Sequence, residues 1–183
     1  MFTENDFYRY RILPARPQET FYGNAGGSER YGIEAFVSAT PIDPLDIQVA
    51  YTYSQFKYTS PDSIEGNWLP NSPRHQLNAQ IDYRFLKYFS VQASALYQSL
   101  WYIYTDAHNA DISQDGFTLF NARLGCDWKI GTLAGDISFS MKNIADEMWI
   151  AFTEPDLDDN GGPNNSYQPG PGREFFVNLR VKY

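Results

Sequence analysis

Apolar and polar residues alternate with a period of two through most of this chain, which marks β-strands with one greasy face and one wet face. The alternation is clearest at the carboxyl end. There Phe175, Val177, Leu179, Val181 and Tyr183 fall on one parity and Glu174, Asn178, Arg180 and Lys182 on the other, with Phe176 the exception. Residues 74–85 set Leu77, Ala79, Ile81, Tyr83 and Phe85 against Gln76, Asn78, Gln80, Asp82 and Arg84. The same reading predicts strands over 30–40, 46–59, 89–105, 117–130 and 135–143, and a first strand over 4–13 ended by Pro14 and Pro17. A loop follows from these prolines through Asn24-Ala25-Gly26-Gly27. The later links alternate short (41–44), long (60–73), short (86–88), long (106–116), short (131–134) and long (153–171).

A strand of this kind fits a soluble β-sandwich, with its apolar face in a core, or a membrane barrel, with that face in lipid. Length and link order separate the two. The strands run about 9–15 residues against a usual mode of about 5–6, and a membrane-crossing strand needs about 9–11. Links sorted with all the long ones at one end are the mark of an outer-membrane barrel. The fold class expected is therefore all-β, an antiparallel up-and-down meander of about eight long strands and a fragment of a transmembrane outer-membrane β-barrel. A stand-alone small outer-membrane barrel with a structural or adhesive role is the first alternative, and a soluble β-sandwich binding module the second. In this register Glu34, Asp82, Arg84, Arg123, Asp127, Lys142, Arg180 and Lys182 all take the wet face. A one-residue slip would put every one of them in lipid. In isolation the eight strands are expected to form an open or incompletely closed sheet.

Composition sharpens this picture. Aromatics make up 17% of the 183 residues. They gather near strand ends (Tyr88, Phe89, Trp101, Tyr102, Trp128, Trp149, Tyr183), as interfacial girdles do. The mean hydropathy of -0.48 looks soluble, but alternating strands average out to polar. A net charge of -8 offers no field for nucleic acid. The single cysteine, Cys126, forms no internal disulfide and reads as a small apolar filler. The first residues lack the basic and apolar regions of a signal peptide, and no apolar run approaches the roughly 20 residues of a membrane helix.

Four stretches resemble the carboxyl-terminal β-barrel of TonB-dependent outer-membrane receptors of the siderophore-receptor type. Asn24-Ala25-Gly26 followed by Arg30-Tyr31-Gly32-Ile33-Glu34 is similar to that family's N-A-G…G-hydrophobic-E stretch. Asn71-Ser72-Pro73-Arg74-His75 resembles the entry to a descending strand. Asn143-Ile144-Ala145-Asp146-Glu147-Met148-Trp149 resembles N-hydrophobic-x-D-x-x-aromatic. Pro171-Gly172-Arg173 with Leu179 to Tyr183 resembles the family's terminus. The resemblance implies the barrel portion of a receptor that takes up an iron–siderophore or similar nutrient chelate. Such receptors also have a signal peptide, a plug domain, a TonB-contacting box and about 22 strands. Residues 1–183 are therefore expected to be one carboxyl-terminal barrel portion. Its expected partners are outer-membrane lipid, the barrel-assembly machinery, and the plug and barrel strands that it lacks. The TonB complex would be reached only through that lacking part.

The resemblance also nominates sites. Trp68, His75, Trp101, Tyr102, Tyr104, His108 and Tyr167 are loop residues that would contact ligand, although the Trp101 cluster also fits an interfacial girdle. Phe175, Val177, Leu179, Val181 and Tyr183 form an expected assembly signal, read by strand addition. Asp156, Asp158 and Asn160 match the first half of a Ca2+ loop. The bidentate Glu expected at its twelfth position is replaced by Tyr167, so a solvated acidic outside loop is the plainer reading. No other cofactor is expected. No nucleophile triad, phosphate loop or H-E-x-x-H is present, and no enzyme is expected.

Overall fold

The computed structural model describes residues 2–4, 8–13, 16–24, 26–60, 63–103, 113–157 and 163–182. Its strands are β1 (Phe2–Glu4), β2 (Tyr8–Leu13), β3 (Arg16–Asn24), β4 (Ser28–Ile42), β5 (Leu45–Tyr58), β6 (His75–Phe85) and β7 (Phe89–Gln98). They continue as β8 (Trp101–Tyr102), β9 (Ser113–Gln114), β10 (Phe117–Ile130), β11 (Leu133–Lys142), β12 (Ile150–Leu157), β13 (Pro163–Pro169) and β14 (Glu174–Lys182).

One sheet carries the molecule. Its eight strands run in the order β1-β4-β5-β6-β7-β10-β11-β14, each antiparallel to its neighbours. Three hairpins, β2–β3, β8–β9 and β12–β13, form separate two-stranded sheets within the long links. The connections at the opposite end are tight, two or three residues after β4, β6 and β10. At Gly131 (φ 61) and at Leu86 and Lys87 (φ 51 and 68) the chain takes the left-handed conformation needed to reverse so sharply. All long links lie at one end, the loop end, and all tight turns at the other. Among the described residues β1 pairs only with β4 and β14 only with β11, so the sheet is open.

The register joins like to like. Val49 stands between Val37 and Ala79, Ile81 between Ile47 and Ala93, Leu124 between Val91 and Phe139, and Ile137 between Cys126 and Leu179. One continuous apolar face results, and among the described residues nothing packs on it. Ile33, Val177 and Leu179 are 66, 69 and 65% exposed. A soluble sandwich would cover such a face with a second sheet, and a bare apolar surface of this extent belongs in lipid. The only charges of that parity in β4 and β5, Glu29 and Lys57, are paired across the strands at the loop end.

The other face is a hydrogen-bonded polar surface. Gln80 and Gln92 both donate to Asp82, at 2.6 and 2.7 Å, and Asn121 donates to Ser94. Arg180 pairs with Asp136 at 3.6 Å, and Asp127 stands opposite Asp136 in the register. Phe176, the one break in the terminal pattern, carries Lys142 Nζ 4.9 Å above its ring.

Three expectations are corrected. The first predicted strand is two: β1 joins the main sheet, while β2 turns back onto β3, which includes Pro17 and Asn24. The predicted strand over 89–105 stops at Gln98, where the chain leaves the sheet for β8. The final long link, read as a loop from its Asp, Asn, Gly and Pro content, is largely the β12–β13 hairpin. In both hairpins the pairing is local, so no apolar alternation is needed to specify it.

Candidate functional site

The tightly buried apolar side chains among the described residues gather at the loop end: Tyr58, Leu69, Trp101, Ile103, Phe117 and Leu119. Phe117 and Leu119 belong to the polar parity of β10, opposite Gln98 and Leu96. Near the mouth, therefore, the wet face turns greasy and the long links fold over it.

Those links hold one another. Asn71 N–H, in the β5–β6 link, donates to the Tyr102 carbonyl at 2.9 Å. Thr153 Oγ1, in β12, donates to Asn71 Oδ1 across 82 positions of chain. Ile150 N–H donates to Gln114 Oε1 of β9. Trp68 bridges back to Lys57, with Lys57 Nζ 4.7 Å and the Arg74 guanidinium 4.5 Å from its ring centre.

The base of the last link is a hydrogen-bonded knot. Asn143 ends β11 with φ 47, a conformation that Asn tolerates better than most residues. Its backbone N–H donates to Asn121 Oδ1, its Nδ2 donates to the carbonyls of Glu147 and Pro171, and its Oδ1 accepts from Glu147 N–H. Asp146 Oδ1 accepts from Arg173 N–H, Arg173 Nε donates to the Ile144 carbonyl, and Trp149 Nε1 donates to Pro171. The Asn143…Asp146…Trp149 motif thus ties the two ends of a link of some 30 residues and sets the rise of β12.

Two adjoining clefts open between the links. The first, about 330 Å³, has a floor of Gln76 and Gln98, cross-strand partners on the polar face, and walls of Asn71, Pro73, Trp101 and Trp149 through Thr153. The second, about 450 Å³, shares Trp149 and Ile150 and adds Gln114, Met148 and Tyr167. Trp149 also packs against Phe117, with ring centres 5.3 Å apart.

The nominated residues separate accordingly. Trp101 and Tyr167 line the clefts, and Tyr102 contributes its backbone carbonyl to the link contacts. Trp68 stands apart, stacked with Lys57 and Arg74. His75 has the apolar parity of β6. Its Nδ1 shares a hydrogen bond of 2.8 Å with Tyr51 Oη and its ring lies 5.2 Å from Tyr53. This aromatic group on the lipid side suits the membrane interface, whereas Trp101 is buried in the cleft wall. Tyr104 and His108 lie outside the described residues. Of the Ca2+ candidate, Asp156 pairs with Asn164 in the β12–β13 ladder, while Asp158 and Asn160 lie outside the described residues. No cluster of metal-ligating side chains occurs among the described residues. Phe175, Val177, Leu179 and Val181 are exposed on β14, and Tyr183 is not described. Sequence reasoning missed Gln76, Gln98, Asn71 and Thr153. Gln76 and Gln98 were legible as wet-face residues, but only the register brings them together.

Comparison with known proteins agrees with this architecture. Residues 3–144 match the family model described as TonB dependent receptor-like, beta-barrel, and the chain belongs to that family. It is 24% identical over 145 residues to the ferrichrome outer membrane transporter/phage receptor of Escherichia coli K12, covering 76% of this chain and 19% of that protein. In fold it is similar to the siderophore receptor PiuA from Acinetobacter baumannii (TM-score 0.68, 21% identity, 94% of this chain and 23% of that one). It is likewise similar to the ferric yersiniabactin uptake receptor FyuA from Yersinia pestis (TM-score 0.67, 15% identity, 88% and 24%). The chain spans about a fifth to a quarter of the length of these relatives. It is a β-barrel protein of the outer membrane, in a family of receptors rather than enzymes.

Proposed function

We propose that residues 1–183 form one wall of a larger receptor barrel for uptake of an iron–siderophore or similar nutrient chelate. In this reading the clefts at the loop end take the ligand from outside. The carrying observation is the interlock of the long links over a cleft on the wet face of a sheet whose other face is bare and apolar. Tyr167 and Trp101 supply aromatic walls, and Gln76, Gln98 and Asn71 supply hydrogen-bonding groups.

The polar network around Asp82 would face the lumen and a plug, and β14 would be read by the barrel-assembly machinery through its free edge. Energy from TonB would enter through parts of the receptor beyond these residues. The open sheet favours this reading over a self-sufficient small barrel, which requires its first and last strands to pair.

The test is uptake of radioactive iron, offered as defined ferric chelates, by cells whose receptor carries Trp101→Ala with Trp149→Ala. Loss of uptake of at least one chelate, with receptor level in the outer membrane unchanged, is expected. Unchanged uptake of every chelate that the parent receptor imports would contradict the proposal.

A further inference from the structure

We infer that Lys57, Trp68 and Arg74 form a seat for the phosphate of an anionic lipid, on the membrane side of the sheet at its loop end. The observations belong to the lipid-facing surface, so the inference is independent of what the clefts take up.

The register sets the face. Lys57 shares the parity of Tyr51, Tyr53 and Gln55 in β5, which is the apolar one. Trp68 is bridged directly opposite Lys57, so its side chain leaves on the same side. Leu69, the next residue, donates its N–H to the Phe56 carbonyl, takes the opposite parity and is buried. Arg74 reaches the same indole, its guanidinium carbon 4.5 Å from the ring centre against 4.7 Å for Lys57 Nζ.

Polarity rises in steps along this face. Tyr51 and His75 share their hydrogen bond at the aromatic level, with Tyr53 packed beside them. Tyr53 Oη then donates to Gln55 Oε1 at 3.0 Å, and Lys57 follows two residues on. At about 3.4 Å per residue, Lys57 stands about 13 Å beyond Tyr53 toward the loop end. Aromatic rings of this kind mark the membrane interface, and long cationic side chains just beyond them reach the headgroups.

Neither cation is neutralised by a carboxylate among the described residues. Glu29 stands opposite Lys57 in the register, yet Lys57 Nζ lies over the Trp68 ring and forms no ion pair with it. The chain has 22 acidic residues against 14 basic ones, so two cations gathered on one ring are a local excess of positive charge that repels itself. An anion between them removes that repulsion. Arg offers phosphate oxygens a fork of donors and Lys a point charge, while the indole holds both heads in place. On this face, at headgroup depth, the anion within reach is a lipid's.

The protein is labelled with fluorotryptophan, extracted from the outer membrane at its native length into a neutral detergent, and titrated separately with phosphatidylglycerol, phosphatidylcholine and inorganic phosphate. The fluorine resonance of Trp68, assigned by Trp68→Phe, is followed. A saturable shift with phosphatidylglycerol is expected, at an affinity at least about tenfold tighter than with phosphatidylcholine. Lys57→Gln with Arg74→Gln should abolish that preference, and Lys57→Arg with Arg74→Lys should keep it. Equal affinity for the two lipids would overturn the inference, as would a preference that survives in the double Gln variant. If inorganic phosphate at the same concentration moves Trp68 as far, the site takes a soluble anion and the lipid assignment falls. The comparison of lipids needs only the parent protein, so it decides the matter even where a variant fails to insert.

Discussion

The side-chain amide of Asn143 donates to the carbonyl of Pro171 at 3.2 Å, joining positions 28 residues apart. The same amide group holds Glu147 from both its carbonyl and its N–H. Asn143 is therefore the point where the last long link is closed on itself. Asn143→Ala removes three side-chain hydrogen bonds, each contributing about 1 kcal/mol net. It also leaves a residue with a Cβ and no local hydrogen bond at φ 47, at a further cost of roughly 1 kcal/mol. A loss of about 2–4 kcal/mol is expected in reversible urea unfolding. Asn143→Asp keeps the acceptor for Glu147 N–H but sets a carboxylate oxygen against the Glu147 and Pro171 carbonyls, and is expected to lose at least as much as Asn143→Ala.

Thr153 and Asn71 tie β12 to the β5–β6 link, and the tie lies outside the main sheet. Thr153→Val should leave the sheet's unfolding midpoint nearly unchanged. It should speed proteolysis of the link over 59–74 by several-fold, by the loss of one hydrogen bond of about 1 kcal/mol. Limited proteolysis in micelles measures this.

The two faces predict opposite responses to charge. Ile81→Lys places a cation in the middle of the apolar face and should cost about 2–4 kcal/mol, seen as lost outer-membrane insertion. Gln80→Lys, one residue away, points toward Asp82 and should insert at near-normal levels.

Gly135 faces Trp128 across β10 and β11, and the ring lies over it. An added Cβ would stand 2.1 Å from the Arg180 carbonyl and 2.4 Å from the indole. Gly135→Val should therefore cost about 1–3 kcal/mol through forced displacement of β14 or Trp128. Folding yield in micelles and the Trp128 fluorescence maximum report it.

The main sheet was legible because burial in lipid enforces strict alternation. Ile81 cannot trade places with Gln80, so the wet and greasy sets name their own face and, through it, the register. The β2–β3 and β12–β13 hairpins were not legible, because pairing outside the bilayer tolerates Pro17 at a register irregularity of β2–β3 and Asn164 and Asn165 within the β12–β13 ladder. His75 shows the limit at the site. Its place beside a long link suggested a ligand contact, yet its parity puts it against Tyr51 and Tyr53 on the lipid side. Trp101 had two readings because an aromatic at a strand end suits either the girdle or the mouth. Only the fold of the links over Gln76 and Gln98 places it in the cleft.

The central claim is that one face of this sheet meets lipid and the other meets the lumen. Spin labels placed singly at Asn78, Ala79, Gln80 and Ile81, in a Cys126→Ser background in bilayers, test it most directly. Oxygen should relax the labels at 79 and 81 more than a water-soluble nickel complex does, and the order should reverse at 78 and 80. Equal access to the nickel complex at all four positions would mean that both faces lie in water, and would contradict the account.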